Sequence, residues 1–512
     1  MRELETIIVL ILVAVILAGW ARRVGAPYPI FLALGGAVLA FVPGAPAFTV
    51  PPEVVLALFV APVLMDAAYD SSLRDLKDNW TGVTGLVIFA VGLTTAAVAV
   101  VAHFLLPQMP WAAAIALGAV VAPPDAAAAT AVLRQVGLPH RILKALEGES
   151  LLNDASALLL YRLAVGAIGT DSFSVGAVAP TFLVAVVGSI VAGPALGWLI
   201  LRLNRRIEHV PTAIVVQFVS VFGVWIFAES FGLSGVLTMV CFAVTVAQTA
   251  PERLPARIRI PTNAVWETVV FVLNILAFIF IGMQIRPILA SLDASNRGPY
   301  FLVAVAVLAT VMAVRPAWHM PFNAFVRWRH RRRGYRPPRP LLQPSIGSGL
   351  IISWAGMRGI VTLAAAMALP PSFPYRELIV LTAFCVVLGT MVLQGLTLKP
   401  LLRRLDLKDD DPVGRELNAA RERALGAGLA TFQDDRSPIG DALRDEFTLR
   451  LSPPEMRDAR SLAHAERHRA ALQAARQAII AMRAGHEIGD DAFHLMEEEL
   501  DWHQMSLDSQ AE

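Results

Sequence analysis

One short stretch of the chain concentrates side chains that could bind a small positive ion. Two carboxylates, a hydroxyl and an amide occur close together in an otherwise apolar segment, at Glu149, Ser150, Asn153 and Asp154. At about 100° per residue they fall within an arc of about 140° on one face of a helix. Hard oxygen ligands suit small, hard cations, and the absence of imidazole and thiolate argues against zinc or copper. The stretch therefore predicts a cation site.

A second candidate residue, Asp125, directly follows Pro123 and Pro124 in another apolar segment. Two prolines remove two backbone donors, so a regular helix cannot continue through them. Within a membrane, non-helical backbone is tolerated only where it lines a cavity or is buried in protein. We therefore expect a broken helix that carries an acid at the break, as an ion site would require.

The segments that contain these residues are predicted to cross a membrane. The 512 residues are 56% hydrophobic and 16% charged, whereas soluble domains are about 25% charged. This excludes an ordinary soluble, collagenous, disordered or disulfide-scaffold protein, and a net charge of +2 argues against a nucleic-acid partner. Thirteen segments are long and apolar enough to span a bilayer, near residues 6–21, 27–43, 53–69, 81–106, 111–133, 146–168, 174–201, 211–228, 232–249, 264–285, 299–320, 346–370 and 377–402.

Loop charges predict the orientation of these spans. Alternate loops contain 20 Lys and Arg residues and the remaining loops contain 3, which places the amino terminus outside and the carboxyl terminus in the cytoplasm. That arrangement needs an odd number of spans, as the thirteen segments provide. Glu3 and Glu5 precede the first apolar run and Arg22 and Arg23 follow it. This is the wrong polarity for a signal peptide, so we expect a retained helix.

The charge distribution also divides the chain into two parts. Of the 84 charged residues, 36 lie in the last 108. We therefore expect a transmembrane domain over 1–404 and a short helical cytoplasmic tail over 405–512. The tail could be an appendage that packs on itself or a region that makes regulatory contacts with a partner, and its residues do not separate these two interpretations.

Spans 5 and 12 are predicted to form a related pair. Span 12 is interrupted at Gly356-Met357-Arg358-Gly359, and it lies seven spans after the interrupted span 5. Paired interruptions at corresponding positions of two inverted repeats indicate the central binding site of a transporter. Arg358 would balance surplus negative charge there. By contrast, we interpret His103 and His319, near span ends, as interfacial, Arg162 as snorkelling toward an interface, and Glu229 as lying at a loop boundary.

Six ordered segments and Arg315 carry a resemblance to a known family. They are APVLMDAAYD (61–70), VVAPPDAAAATAVL (120–133), EGESLLNDASALLLY (147–161), FVLNILAFIFIGMQI (271–285), SWAGMRGIVTLAAAMALP (353–370) and QGLTLKPLL (394–402). Over about residues 25–403 the chain resembles the sodium/proton antiporters of the monovalent cation/proton antiporter superfamily, in the bacterial electroneutral branch with an Asn-Asp motif. The family fold is all-α, with thirteen helices in a dimerisation bundle and a mobile core, usually as a homodimer in the inner membrane.

The resemblance also implies roles for individual residues. Asp154 would bind the cation and the proton in turn, preceded by Asn153 of the Asn-Asp pair. The rest of the cation shell would come from Glu149, Ser150 and Asp125, with backbone oxygens of the broken span 5 at Pro123 and Pro124. Asp66 matches an acidic position on the access route, and Arg315 and Arg358 match arginines that neutralise and hold the core. No cofactor is implied beyond the transported ions, and the surrounding partner is membrane lipid.

One departure from the family pattern concerns cation choice. Many relatives have Thr-Asp-Pro where this chain has Pro124-Asp125-Ala126. Without the threonine hydroxyl, a ligand from position 124 must be its backbone carbonyl. The preference among sodium, lithium and potassium therefore stays open, with sodium expected first.

The expected activity is secondary antiport of a monovalent cation against a proton, serving pH and sodium homeostasis. One titratable carboxylate beside a neutral Asn favours one-for-one, electroneutral exchange. No phosphate-binding loop for a hydrolytic energy source is present in the sequence. The alternatives are a cation channel or a differently coupled carrier, although no filter-like repeat is seen. An intramembrane enzyme is disfavoured because Ser150 has no histidine companion within a span and no H-E-x-x-H motif occurs.

Overall fold

A computed structural model describes most of the chain, over residues 2–24, 27–43, 51–69, 89–125, 140–168, 175–253, 255–333, 345–405, 412–451, 459–484, 496–497 and 499–504. The described residues are almost all helical, and no strand occurs among them. The chain divides into two compact units, Met1–Asp410 and Asp411–Glu512.

The first unit is a bundle of apolar helices. In chain order they are α1 Arg2–Val24, α2 Tyr28–Leu39, α3 Pro52–Val55, α4 Ala61–Tyr69, α5 Val91–Leu105, α6 Trp111–Val121, α7 His140–Ile168, α8 Val175–Asn204, α9 Val210–Ser230, α10 Gly235–Arg253, α11 Ala256–Met283, α12 Ile285–Ser291, α13 Arg297–Arg333, α14 Ile346–Trp354, α15 Ile360–Met367 and α16 Arg376–Leu405.

Several of these helices have the length and composition of membrane spans. Within the described residues, five stretches are long and apolar enough to cross a bilayer: Leu183–Asn204, Val210–Ser230, Ala256–Ser291, Arg297–Arg329 and Arg376–Leu405. Shorter apolar helices, among them α2, α5 and α6, accompany them. Since lipid offers no partners for backbone polar groups, an all-helical apolar bundle satisfies its backbone internally.

Close helix packing in the first unit depends on glycine. Helix α2 packs along α11, and a Cβ atom on Gly36 would overlap the Ile279 carbonyl, as one on Gly282 would overlap the Ala33 carbonyl. Without a hydrophobic driving force between helices in lipid, small residues that let backbones approach supply the packing energy. These two glycines therefore fix the approach of α2 to α11.

The predicted third span differs from a regular helix. Between α3 and α4, residues Leu56–Val60 form one π-helical turn. Pro62 lies at the start of α4, where it has no backbone N–H to donate and its ring would crowd the carbonyl four residues earlier. A local widening of the helix relieves both problems.

Two chain segments in the bundle leave the helical path. Helix α6 ends at Val121, and Ala122–Asp125, which contains the two prolines, is not helical. Helix α14 ends at Trp354, Ala355–Gly359 is not helical, and α15 begins at Ile360. The predicted continuation of span 5 over 126–133 lies outside the described residues.

The second unit is helical and polar. It contains α17 Pro412–Ala430, α18 Pro438–Leu451 and α19 Ala459–Ala484. Helix α17 contacts α18, and Ile479 and Leu500 form a small buried cluster.

Candidate ion-binding site

The two non-helical segments meet each other inside the bundle. The backbone N–H of Asp125 donates to the Met357 carbonyl at 2.7 Å. Gly359 lies against the Asp125 side chain so closely that a Cβ atom on it would overlap the carboxylate. The segment after α6 and the α14–α15 connection therefore form a junction through these contacts, and the junction fixes the position of Asp125.

Arg358 is buried at this junction and holds the carboxyl end of α6. Its guanidinium donates to the carbonyls of Val121 at 3.0 Å and Ala122 at 2.9 Å, and also to the Gly356 carbonyl. The last carbonyls of a helix have no partner within the helix and carry partial negative charge. A cation at this point satisfies the carbonyls that the proline break leaves open.

Helix α7 brings its polar face to the same junction. Ser150 Oγ donates to the Pro124 carbonyl at 3.2 Å. One turn further along α7, Asp154 is 5% exposed. The serine thus connects α7 to the non-helical segment after α6, and this contact brings Asp125 and Asp154 close to the same junction.

A cavity of about 470 Å³ opens between these elements. Asp125, Ser150 and Asp154 line it, and so does Asp66 of α4, the acidic residue expected on the access route. Carboxylates that share a cavity repel one another, so a cation or proton bound among them is stabilised by their negative charges. Most of the other lining side chains are apolar or aromatic, among them Phe59, Trp266 and Phe278.

Glu149 occupies a different place from the one that the sequence predicts for a cation ligand. It is fully buried and does not line the cavity. Its Oε2 pairs with Arg315 Nη2 at 2.7 Å, and its Oε1 accepts a hydrogen bond from Asn153 Nδ2 at 3.2 Å. The resemblance to the family places Glu149 in the cation shell, whereas its observed partners are an arginine and an amide.

Helix α13 binds α14 through three polar contacts spaced four residues apart. Arg315 Nε donates to the Ile352 carbonyl at 3.1 Å, His319 Nδ1 lies 3.0 Å from the Gly349 carbonyl, and Asn323 Nδ2 donates to the Ser345 carbonyl at 2.8 Å.

His319 is therefore not the interfacial histidine that its position near a span end suggested. It is buried against α14 and also contacts the Ser353 hydroxyl at 2.9 Å. The three contacts favour α13 and α14 acting as one body, with Arg315 at its inner end.

Three polar residues of α11 face the cavity and were not identified from the sequence as site residues. Asn263, Glu267 and Asn274 lie among the cavity-lining residues. They are four and seven residues apart, which places them on one side of a helix. The signal was present as a polar stripe in an apolar span, but a stripe does not reveal which neighbour it faces. Glu147 of α7 also lines the cavity. Because α7 begins at His140, Glu147 lies about two turns inside the helix, where the dipole of the helix amino end no longer accounts for an acid.

A second ion pair involves residues that the sequence did not connect. Both carboxylate oxygens of Glu229 accept hydrogen bonds from Arg162 Nη2 at 2.8 Å. The pair joins α7 to the end of α9, and its side chains are 47% and 42% exposed. The two residues, interpreted separately from the sequence, lie 67 positions apart and are partners in the structure.

Comparison with known proteins agrees with this architecture. Residues 8–404 match the family model described as the transmembrane sodium/hydrogen exchanger. The chain belongs to the sodium/hydrogen exchanger family. Membership in this family makes the protein a multi-pass secondary transporter and not an enzyme, in line with the resemblance inferred from its motifs.

Individual relatives extend the match across most of the chain. An uncharacterized Na⁺/H⁺ exchanger of Mycobacterium tuberculosis is 31% identical over 454 residues, covering 85% of this chain and 81% of the relative. A sodium, potassium, lithium and rubidium/H⁺ antiporter of Bacillus subtilis is 29% identical, covering 80% of this chain and 62% of the relative. The sodium proton antiporter MjNhaP1 from Methanocaldococcus jannaschii shares the fold, with a TM-score of 0.60 at 18% identity over 79% of this chain and 99% of that one.

Proposed function

We propose that the protein exchanges a monovalent cation for a proton at Asp154. The observation that carries this proposal is the placement of Asp154 and Asp125 in one cavity, at the contact between two non-helical segments. A buried carboxylate is costly as a bare anion, so it favours a bound proton or a bound cation. Competition between the two for one group couples their gradients without another energy source.

The charges around Asp154 support an electroneutral cycle. Asn153 is neutral, and its neighbour Glu149 is paired with Arg315. Asp154 is then the one carboxylate that has to alternate between a proton and a cation, provided that Asp125 and the other acids lining the cavity keep the same charge throughout the cycle. One cation exchanges for one proton, and no net charge moves.

The cation shell would combine side-chain and backbone oxygens. Asp154, Asp125 and Ser150 line the cavity, and the Pro124 carbonyl already accepts from Ser150. With proline in place of the family's threonine, the shell lacks one hydroxyl. We expect sodium as the main substrate, with lithium and potassium as further candidates, and the multi-cation name of the Bacillus subtilis relative supports testing them all.

The cellular setting follows from the same proposal. Thirteen spans with broken spans 5 and 12 in inverted repeats, an external amino terminus and a cytoplasmic tail would place the protein in a bacterial inner membrane, where it would serve pH and sodium homeostasis. Exposed apolar side chains along α1, among them Leu12 and Ile16, offer a surface to lipid or to a second copy in a homodimer. Alternating access would move the segments around Asp154 against the remaining helices.

A proton-flux measurement in proteoliposomes tests the exchange. Sodium, lithium, potassium and rubidium are added in turn while a pH-sensitive dye reports the lumen, and valinomycin with potassium sets the voltage in the sodium and lithium runs. Asp154→Asn should abolish cation-driven proton movement, whereas Asp293→Asn in the exposed loop before α13 should retain it. Retained flux in Asp154→Asn would remove Asp154 from its role, and strong voltage dependence would exclude electroneutral exchange.

Competition also predicts how the exchange depends on pH. When protons and cations share one carboxylate, acid should inhibit by occupancy. The half-saturating cation concentration should rise by up to about tenfold for each pH unit of acidification, by mass action. A half-saturating concentration that is constant across pH would show that the two ions do not compete.

A further inference from the structure

One threonine of α16 supports the non-helical connection between α14 and α15. Thr390 is fully buried. Its hydroxyl oxygen accepts a hydrogen bond from the backbone N–H of Arg358 at 3.1 Å. Arg358 lies in the segment that has left the helical path, so this N–H has no carbonyl one turn earlier to bind.

The direction of that hydrogen bond is fixed by the helix that carries the threonine. The Thr390 hydroxyl donates its proton to the Val386 carbonyl at 2.7 Å, one turn earlier in α16. With its single proton used there, the hydroxyl can only accept from outside the helix. The group that it accepts from is the Arg358 N–H.

The residue held in this way is central to the junction. The Arg358 guanidinium binds the Val121 and Ala122 carbonyls at the end of α6. The preceding residue, Met357, accepts from the Asp125 N–H. A shift of the backbone at Arg358 would therefore move both the charge that caps α6 and the carbonyl that positions Asp125.

We propose that Thr390 is a positioning residue for the ion site, acting through the backbone of Arg358. Its hydroxyl fixes the position of the α14–α15 connection relative to the end of α6, and this connection in turn positions Asp125. The inference rests on the proposed function, since its effect is read through cation binding at Asp154 and Asp125. Thr390 does not line the cavity, so it does not contact the transported ion.

The test compares variants of Thr390 by their half-saturating sodium concentration and maximal rate in proteoliposomes. Thr390→Val keeps the shape and removes the acceptor. Thr390→Ser keeps the hydroxyl, and Thr390→Cys has nearly the size of serine but is a weak acceptor. Thr382 provides a matched control, since it lies on the same helix, is equally buried, and has no hydrogen-bond partner for its hydroxyl among the described residues.

The expected result is a selective loss of cation affinity. Thr390→Val and Thr390→Cys should raise the half-saturating sodium concentration by about tenfold, because an unpaired buried donor costs roughly one to two decades in an equilibrium constant. Thr390→Ser and Thr382→Val should stay within about twofold of the wild type. If Thr390→Val does not accumulate as folded protein, the Ser and Cys variants decide the question.

Three results would overturn the proposal. The first is wild-type affinity in Thr390→Val or Thr390→Cys, and the second is equal impairment of Thr390→Ser. The third is a loss of maximal rate in the Thr390 variants without a change in half-saturation, which a purely structural role would give. Absence of exchange by the wild-type protein would instead refute the proposed function, so the two failures are distinguishable.

Discussion

The buried pair of Glu149 and Arg315 allows a sharp test of what Glu149 does. The two side chains are 0% and 5% exposed, and their charged atoms are 2.7 Å apart. At an effective dielectric constant of about 20, opposite charges at that distance attract each other by about 6 kcal/mol. Desolvation of each ion costs several kcal/mol, so the pair as a whole is close to neutral, whereas removal of one partner costs about 3–5 kcal/mol.

The perturbation is a double-mutant cycle with Glu149→Gln, Arg315→Gln and both together. Each single variant leaves one buried charge without its partner, so each should lose about 3–5 kcal/mol of stability. The double variant should recover most of that loss, because both charges are gone. Unfolding in mixed detergent micelles measures stability, and sodium-dependent proton flux in proteoliposomes measures cation affinity.

The double variant also separates the two roles proposed for Glu149. If its carboxylate serves Arg315, the stable double variant should bind sodium within a few-fold of the wild type. If the stable double variant has instead lost sodium affinity, Glu149 is a ligand of the cation after all. That result would refute the inference that its carboxylate serves only Arg315. The same cycle at Arg162 and Glu229 is the control. Their side chains are 47% and 42% exposed, and an ion pair that lies at an aqueous interface couples by about 0–1 kcal/mol.

Two further outcomes follow from the geometry. Gly359→Ala should strongly reduce transport in the proteoliposome assay, because the added methyl group would displace the Asp125 carboxylate. Gly223→Ala is the control and should leave the rate unchanged, because no described atom beyond the backbone of its own helix lies within 4 Å of the added methyl group. A Gly359→Ala rate equal to the wild-type rate would show that the position of Asp125 is not critical. Glu267→Gln should raise the half-saturating sodium concentration by about two- to fivefold, because the cavity wall loses one unit of negative charge. Thr268→Val, at the exposed neighbouring position, is the control and should leave that concentration unchanged. A response to Thr268→Val alone would exclude electrostatic attraction as the cause.

The end of α6 and the non-helical segment between α14 and α15 were predictable because their causes are local. Pro123 and Pro124 remove donors wherever they occur, and α6 does end just before them. Gly356 and Gly359 bracket the non-helical segment between α14 and α15, which the sequence marks as an interruption. Polar residues at helical spacing on α7 were likewise visible, since periodicity depends on the chain alone.

Which partner each polar residue meets could not be predicted in the same way. Glu149 lies one position from Ser150, yet it faces Arg315 across 166 positions while Ser150 faces the cavity. The stripe on α11 and the burial of His319 likewise depend on which helix packs alongside. Spacing within a helix defines a face, but the neighbour of that face is set by the packing of distant segments.

The arrangement of the arginines explains how Asp154 could exchange a bound proton for a bound cation without a rearrangement of the helix bundle. Arg315 is engaged with Glu149, and Arg358 is engaged with the carbonyls at the end of α6. A cation arriving at Asp154 therefore does not have to displace a guanidinium from a buried ion pair, a step that would cost several kcal/mol. Under the proposed exchange, both positive charges would stay in place while a proton and a cation alternate at Asp154. The junction can then remain rigid through the exchange, and the conformational change is left to the contacts between this junction and the helices around it.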